Sequence, residues 1–188
     1  MPATPFPPAA LAALLGITDA TVAERIDPAR SGASFAVEMR LPIHARGMFD
    51  RVQGELVTEA EGRRRVSVAL DARYLHFDGP AWMERVTRAD DFLDVAHHPE
   101  IRFLSRPFTP ELLRQGGELQ GQLTLRGQTR DVSFRLEPST CPRPGRDCDI
   151  HVAGQINRRD YGMTSYRLIV RDAVHFDFRV HWLDEPPQ

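Results

Sequence analysis

Ile156-Asn157-Arg158-Arg159-Asp160-Tyr161-Gly162-Met163 sits between two runs of alternating apolar residues, and the reading of the whole chain turns on it. Ahead of it, Ile150 and Val152 alternate with Asp149 and His151, and the pattern continues through Gly154 to Ile156. Behind it, Val174, Phe176, Phe178, Val180 and Trp182 alternate with His175, Asp177, Arg179 and His181. Period two with one polar face is the pattern of antiparallel strands solvated on one side. The octapeptide is then a polar connection: Asn157 to Asp160 suit a turn, and Gly162 tolerates positive φ. Asp160 is placed to cap that turn or to pair with an Arg. A structural role is expected for the stretch rather than a catalytic one.

The same alternation recurs upstream. Phe35, Val37 and Met39 form one apolar face, Val66, Val68 and Leu70 a second, and Val132, Phe134 and Leu136 a third. Glu61-Gly62 separates residues 52–57 from 66–70, and Arg126-Gly127-Gln128-Thr129 reads as a tight hairpin between 119–125 and 132–136. Gly47 and Gly54, inside strand patterns, suggest bends or bulges at a barrel corner. The count is eight or nine strands, enough to close an antiparallel barrel wide enough inside for side chains or one small ligand. One domain is expected over residues 21–185. Residues 80–95 break the pattern and read as helical, with Pro80 in a first-turn position and Asp90 or Asp91 capping a second short helix. Such an insertion covers a barrel mouth, which makes Trp82, Met83, Phe92 and Leu93 lid candidates, or plugs of the core.

The inward faces nominate a lining. Phe35, Val37, Val66 and Val68 come from the first half of the chain. Phe103, Leu123, Phe134, Val152, Phe176 and Phe178 come from the second. With Trp82 and Phe92 from the lid, these are the candidate ligand-binding residues. Either they fill the interior as an ordinary core, or they leave a channel for an apolar chain.

Composition narrows the partners. Net charge is -2, and all 24 basic side chains are Arg, which gives no reason to expect nucleic acid. No run of about 18 apolar residues exists, so no transmembrane helix is expected. Residues 7–16 read either as a short helix, with Leu11, Leu14 and Leu15 on one face, or as the apolar part of a signal remnant without its basic leading segment. Residues 1–20 are therefore set apart as an N-terminal extension. Cys141 and Cys148 flank a Pro- and Gly-containing loop between two strand patterns, where hairpin ends can come within disulfide reach. A pair closing a loop suits an oxidising compartment such as the periplasm; two cytoplasmic thiols are the alternative.

Catalytic and metal patterns are missing from the sequence. No GxSxG, HExxH or phosphate-binding loop occurs, and Ser31 and Ser105 have no evident base. His151, His175 and His181 fall on polar strand faces and His97-His98 in a loop, so surface roles and no metal or other resident cofactor are expected. Asp90, Asp91 and Asp94 read as a solvated face.

Five motifs in order carry a resemblance. Ile26-Asp27-Pro28-Ala29-Arg30-Ser31 with Phe35-Ala36-Val37 opens the series, and Gly47-Met48-Phe49-Asp50-Arg51-Val52-Gln53-Gly54 follows. Next come Asp91-Phe92-Leu93-Asp94-Val95 with Pro99-Glu100-Ile101-Arg102-Phe103, then Leu123-Thr124-Leu125-Arg126-Gly127-Gln128-Thr129-Arg130-Asp131-Val132. The octapeptide quoted first is the fifth. Together they resemble the YceI-like family across roughly residues 22 to 183. The chain departs from that pattern at Arg30, where His is usual, and at Met83 to Thr87. The resemblance implies an antiparallel eight-stranded, lipocalin-like β-barrel with a short helical lid that binds an isoprenoid lipid, such as a polyprenyl carrier or a quinone tail, and catalyses nothing. The alternatives are a packed barrel serving as a protein-interaction module, and a barrel enzyme or haem protein. A homodimer is compatible with such a barrel, though no apolar patch in the sequence selects one.

Overall fold

The computed structural model describes residues 23–40 and 44–184. The expected N-terminal helix or signal remnant lies outside the described residues. Strands dominate. The first half holds β1 (Ala23–Arg25), β2 (Gly32–Met39), β3 (His44–Phe49), β4 (Val52–Thr58), β5 (Arg64–Asp71), β6 (Leu75–Asp78) and the helix α1 (Ala81–Arg88). The second half holds β7 (Glu100–Ser105), a four-residue helix α2 (Leu112–Gln115), β8 (Gly117–Leu125), β9 (Gln128–Leu136), β10 (Ile150–Asn157) and β11 (Val170–Val180). They form one antiparallel, curled sheet in the order β1-β4-β5-β7-β8-β9-β10-β11-β2-β3-β6.

Eleven strands replace the eight expected, and the reason is local. Only Asp50 and Arg51 separate β3 from β4, and only the turn Ala72–Tyr74 separates β5 from β6. These two breaks face each other, since Asp50 N–H donates to Tyr74 O at 3.1 Å and Asp71 N–H to Arg51 O at 3.3 Å. Neighbouring ribbons thus bend at one corner, where Arg51 lies 3.5 Å over the Tyr74 ring. Asp71 caps the turn and takes a two-pronged pair from Arg73, which lowers its pKa. Gly47 and Gly54 are not the bends. Both sit in register, and a side chain at Gly47 would strike the Phe35 ring, while one at Gly54 would strike the Ser67 carbonyl.

The sheet curls back on itself through the tail after β11. Ile26 and Trp182 form a bridge, flanked by Asp27 N–H to His181 O and Leu183 N–H to Arg25 O, both at 2.8 Å. This overturns the surface expectation for His181, which is fully buried because β1 covers the tail it sits on. Ser31 fastens the same place, its Oγ donating to His181 O at 3.2 Å and accepting from His181 N–H at 2.9 Å.

A disulfide links Cys141 to Cys148, with Cα atoms 6.2 Å apart. Inside its loop Gly145 adopts φ 82° and lies under the Trp182 indole, where any side chain would clash. Gly145 O accepts from Trp182 N–H at 2.7 Å. Closing so short a loop restricts the unfolded chain by about 2 kcal/mol. Reduction is therefore expected to lower the midpoint of thermal unfolding by about 5 °C. Differential scanning calorimetry with and without reductant checks this, and an unchanged midpoint would contradict it.

The helical region is shorter than expected. α1 ends at Arg88, and residues after it form turns instead of a second helix. Ala89 is extended, Asp94 takes φ 49°, and Leu93 and Val95 N–H groups close back on Thr87 O and Arg88 O. Asp94 also accepts from His97 Nδ1 at 2.8 Å, which raises the His97 pKa above its ordinary 6.5 and lowers that of Asp94. A raised imidazole pKa favours the folded chain at pH values below 6.5, and that contribution is lost as pH rises through the folded value. NMR titration should place the His97 midpoint above 6.5 and return it there in Asp94→Asn, since Asn keeps the left-handed turn.

Candidate functional site

The inward strand faces enclose two apolar cavities. The first, about 70 Å³, is bordered by Leu56, Val66, Leu70, Leu123, Phe134 and Trp182 among others, all without charge. The second, about 50 Å³, is bordered by Phe35, Val37, Phe49, Phe92, Leu93 and Met163, and also by Thr87 and Arg158. Ile101 and Phe176 border both and so form the partition between them.

Aromatic packing explains why so little space is left. Phe176 lies 6.3 Å from Phe35 and 6.4 Å from Phe134, centroid to centroid, joining two ring clusters. Phe35 contacts Phe49 and Phe77 on one side, and Phe134 contacts Phe103 and Phe178 on the other. Three wall glycines make room for these rings: a side chain at Gly47, Gly121 or Gly154 would strike Phe35, Phe103 or Phe134. Each ring fills a hollow in its own wall, as aromatic cover of strand glycines does elsewhere.

Of the twelve lining candidates, Phe35, Val37, Phe92 and Phe176 border the second cavity. Val66, Val68, Phe103, Leu123, Phe134, Val152 and Phe178 border the first, as does Phe176. Trp82 borders neither and is corrected: it is 47% exposed, while its neighbour Met83 is buried. One residue along a helix turns the side chain by about 100°, and Met83 takes the inward position. Leu56, Leu70 and Ile101 extend the inward faces of β4, β5 and β7, and their alternation carried the signal that would have found them. Arg158 was hidden, because polarity argued for a surface turn.

Arg158 is 1% exposed and serves as a backbone clamp. Its Nη1 donates to Met163 O at 2.7 Å and Ser165 O at 2.8 Å, its Nε to Arg171 O at 3.1 Å and its Nη2 to Val170 O at 3.3 Å. Asp172 stands 3.5 Å from it as a partial counter-charge. Burial pulls the guanidinium pKa down, and Asp172 opposes that. Asn157 accepts from Arg159 N–H, and Gly162 takes φ 76°, so the octapeptide is a capped turn feeding a buried cation. Its Tyr161 hydroxyl is buried without a partner among the described residues, and burial pushes it up to about 12.

Ser31, His181 and Asp149 are residue types of a hydrolytic triad, but the serine hydroxyl faces the His181 backbone. Only Asp149 meets the imidazole, at 3.1 Å from Nδ1. Ser105 is occupied with the Val66 N–H at 2.9 Å. Among the described residues no three His, Cys, Asp or Glu side chains are grouped to hold a metal, and no helix is long and apolar enough to cross a membrane.

A curled antiparallel sheet around a predominantly apolar interior defines the chain as an all-antiparallel β-protein. The YceI-like domain model matches residues 25–182, and the chain belongs to that family. The fold is similar to the crystal structure of Burkholderia cenocepacia BcnA, with TM-score 0.67 at 18% identity over 82% of this chain and 98% of that one. It is also similar to a polyisoprenoid-binding domain from Saccharophagus degradans implicated in plant cell wall breakdown, with TM-score 0.65 at 14% identity, covering 86% of this chain and 98% of that one. The Campylobacter jejuni YceI protein follows, with TM-score 0.57 at 17% identity over 74% of this chain and 85% of that one. No curated protein matches the chain in sequence.

Proposed function

We propose that this chain binds the hydrocarbon of a long isoprenoid-type amphiphile, a polyprenyl carrier or quinone tail, inside its curled sheet, and stores, carries or shields it without catalysis. The observation that carries the reading is a pair of predominantly apolar cavities, the first without any charged residue, that share Phe176 and Ile101 as a common wall. The polyisoprenoid-binding relative in fold supports it. Burial of apolar carbon contributes about 0.8 kcal/mol per CH₂, so each five-carbon unit contributes roughly 3–4 kcal/mol gross. Ordering and association oppose this by several kcal/mol, and several units together outweigh that cost. Cavities of about 70 and 50 Å³ are below the roughly 150 Å³ that holds a benzene. Uptake therefore requires the interior to widen, with the Phe176 ring swinging aside to join the two.

The disulfide supports a periplasmic or otherwise oxidising location. The small cavity volumes favour one second reading, a packed module that binds a protein. Organic extraction of natively purified protein followed by mass spectrometry separates the two. A stoichiometric polyprenyl or quinone species is expected, and well-folded protein that neither yields nor takes up such a species would overturn the carrier reading.

A further inference from the structure

The segment between the octapeptide and β11 exposes apolar side chains at one end of the molecule. Leu168 is 88% exposed and Ile169 41% exposed, next to Tyr166. Exposure here is not slackness. Arg158 holds the carbonyls of Met163, Ser165 and Val170, Ser165 Oγ donates to Asp91 Oδ1 at 3.0 Å, and Tyr166 stacks on Phe92 at 5.6 Å. Tyr166 itself takes φ 58°, and its carbonyl accepts from Ile169 and Val170 N–H groups. A loop fixed by so many bonds, yet presenting Leu168 to solvent, is shaped for something outside the chain.

Charge says what that is. Arg167 adjoins Leu168, and the Arg40 backbone N–H donates to Ile169 O at 2.8 Å, so both arginines are anchored at this tip. Both are exposed, and neither has a carboxylate partner among the described residues, whereas Arg171 meets Glu38 and Arg159 meets Asp172. Unpaired cations flanking a protruding aliphatic pair, with a tyrosine at their base, match the layering of an anionic bilayer surface: phosphates outside, acyl carbon beneath. The tip also joins the interior, because Phe92, Arg158 and Met163 border the second cavity.

We infer that the Tyr166-to-Ile169 tip docks on membranes carrying anionic lipid, with Leu168 and Ile169 entering the acyl boundary and Arg40 and Arg167 engaging head-group phosphates, so that a lipid chain passes between bilayer and cavity beside Phe92. The docking role rests on the carrier reading for its purpose but not for its test. Full-length protein is sedimented with vesicles of phosphatidylcholine alone and of phosphatidylcholine with phosphatidylglycerol at three to one. Wild type should bind the anionic vesicles and only weakly the neutral ones. Arg40→Gln and Arg167→Gln should each weaken binding about fivefold, and Leu168→Asp about tenfold or more, with only the arginine share lost at high salt. Wild type that ignores anionic vesicles, or Leu168→Asp that binds as wild type does, would overturn the inference. So would a tip that instead pairs two copies, seen as self-association in vesicle-free sedimentation velocity that Leu168→Asp abolishes without changing vesicle binding. Uptake of a farnesol-like alcohol in vesicle-free solution is measured alongside. Uptake kept by Leu168→Asp with vesicle binding lost supports docking, whereas vesicle binding without any uptake leaves docking standing and removes the carrier reading.

Discussion

Arg158→Met unfolds at a markedly lower denaturant concentration than the parent chain, losing about 3–5 kcal/mol. The side chain spans similar length without its charge, and the carbonyls of Met163, Ser165, Val170 and Arg171 lose their donor together. Each carbonyl left unmatched in a buried or half-buried place costs about 1–3 kcal/mol, while loss of the guanidinium's own burial penalty offsets part of the sum. Urea titration gives the free energy, and hydrogen exchange locates it. Protection should fall first from 163 to 171, before the β4–β5 pairing is touched. A loss below about 1 kcal/mol would mean that water replaces the clamp, and the octapeptide would then owe its shape to Asn157 and Gly162 alone.

Phe176→Ala is the second large effect, and it moves two observables in opposite directions. Removing a buried Phe costs about 3–5 kcal/mol, here by detaching the Phe35 and Phe134 clusters from each other. The same change opens the partition between the two cavities. Stability falls while uptake of an isoprenoid alcohol speeds up, because the ring no longer has to swing. Phe176→Leu, with less volume lost, should show both effects at smaller size. Calorimetry and stopped-flow uptake with an environment-sensitive isoprenoid probe measure them. Destabilised protein with parental uptake kinetics would show that the ring is core and not partition.

The alternation of Val66, Val68 and Leu70, or of Val174, Phe176 and Phe178, made the curled antiparallel sheet legible, because a pleated strand with one dry face has little other choice. It also located most of the cavity lining, since facing inward and bordering the cavity follow from the same pleat. What stayed hidden depends on contacts distant in the chain. His181 continues an alternating run on its polar face, yet it is buried because Ile26 and Asp27, some 155 residues earlier, cover it. The corner at Asp50-Arg51 and Ala72–Tyr74 exists only as a pair of facing breaks, and neither one marks itself. Arg158 was legible as part of a motif but not as a buried cation, since its carbonyl partners are backbone groups that carry no side-chain signature. Trp82 and Met83 were both lid candidates, and adjacent helix positions cannot both face inward; Met83 is the buried one.

The two ends of the interior are built differently, and that asymmetry sets an order of events. Trp182 borders the first cavity, its indole packed over Gly145 in a loop that a covalent bond closes. The second is bordered by Phe92, which stacks on the exposed Tyr166. On the proposed carrier reading, an interior closed at the disulfide end would take a lipid tail-first and keep its polar group at the Phe92 end. Under that reading two guests could not pass each other inside, so exchange would run as vacate, then refill, with the departing molecule offering its head group to the next acceptor before its tail lets go.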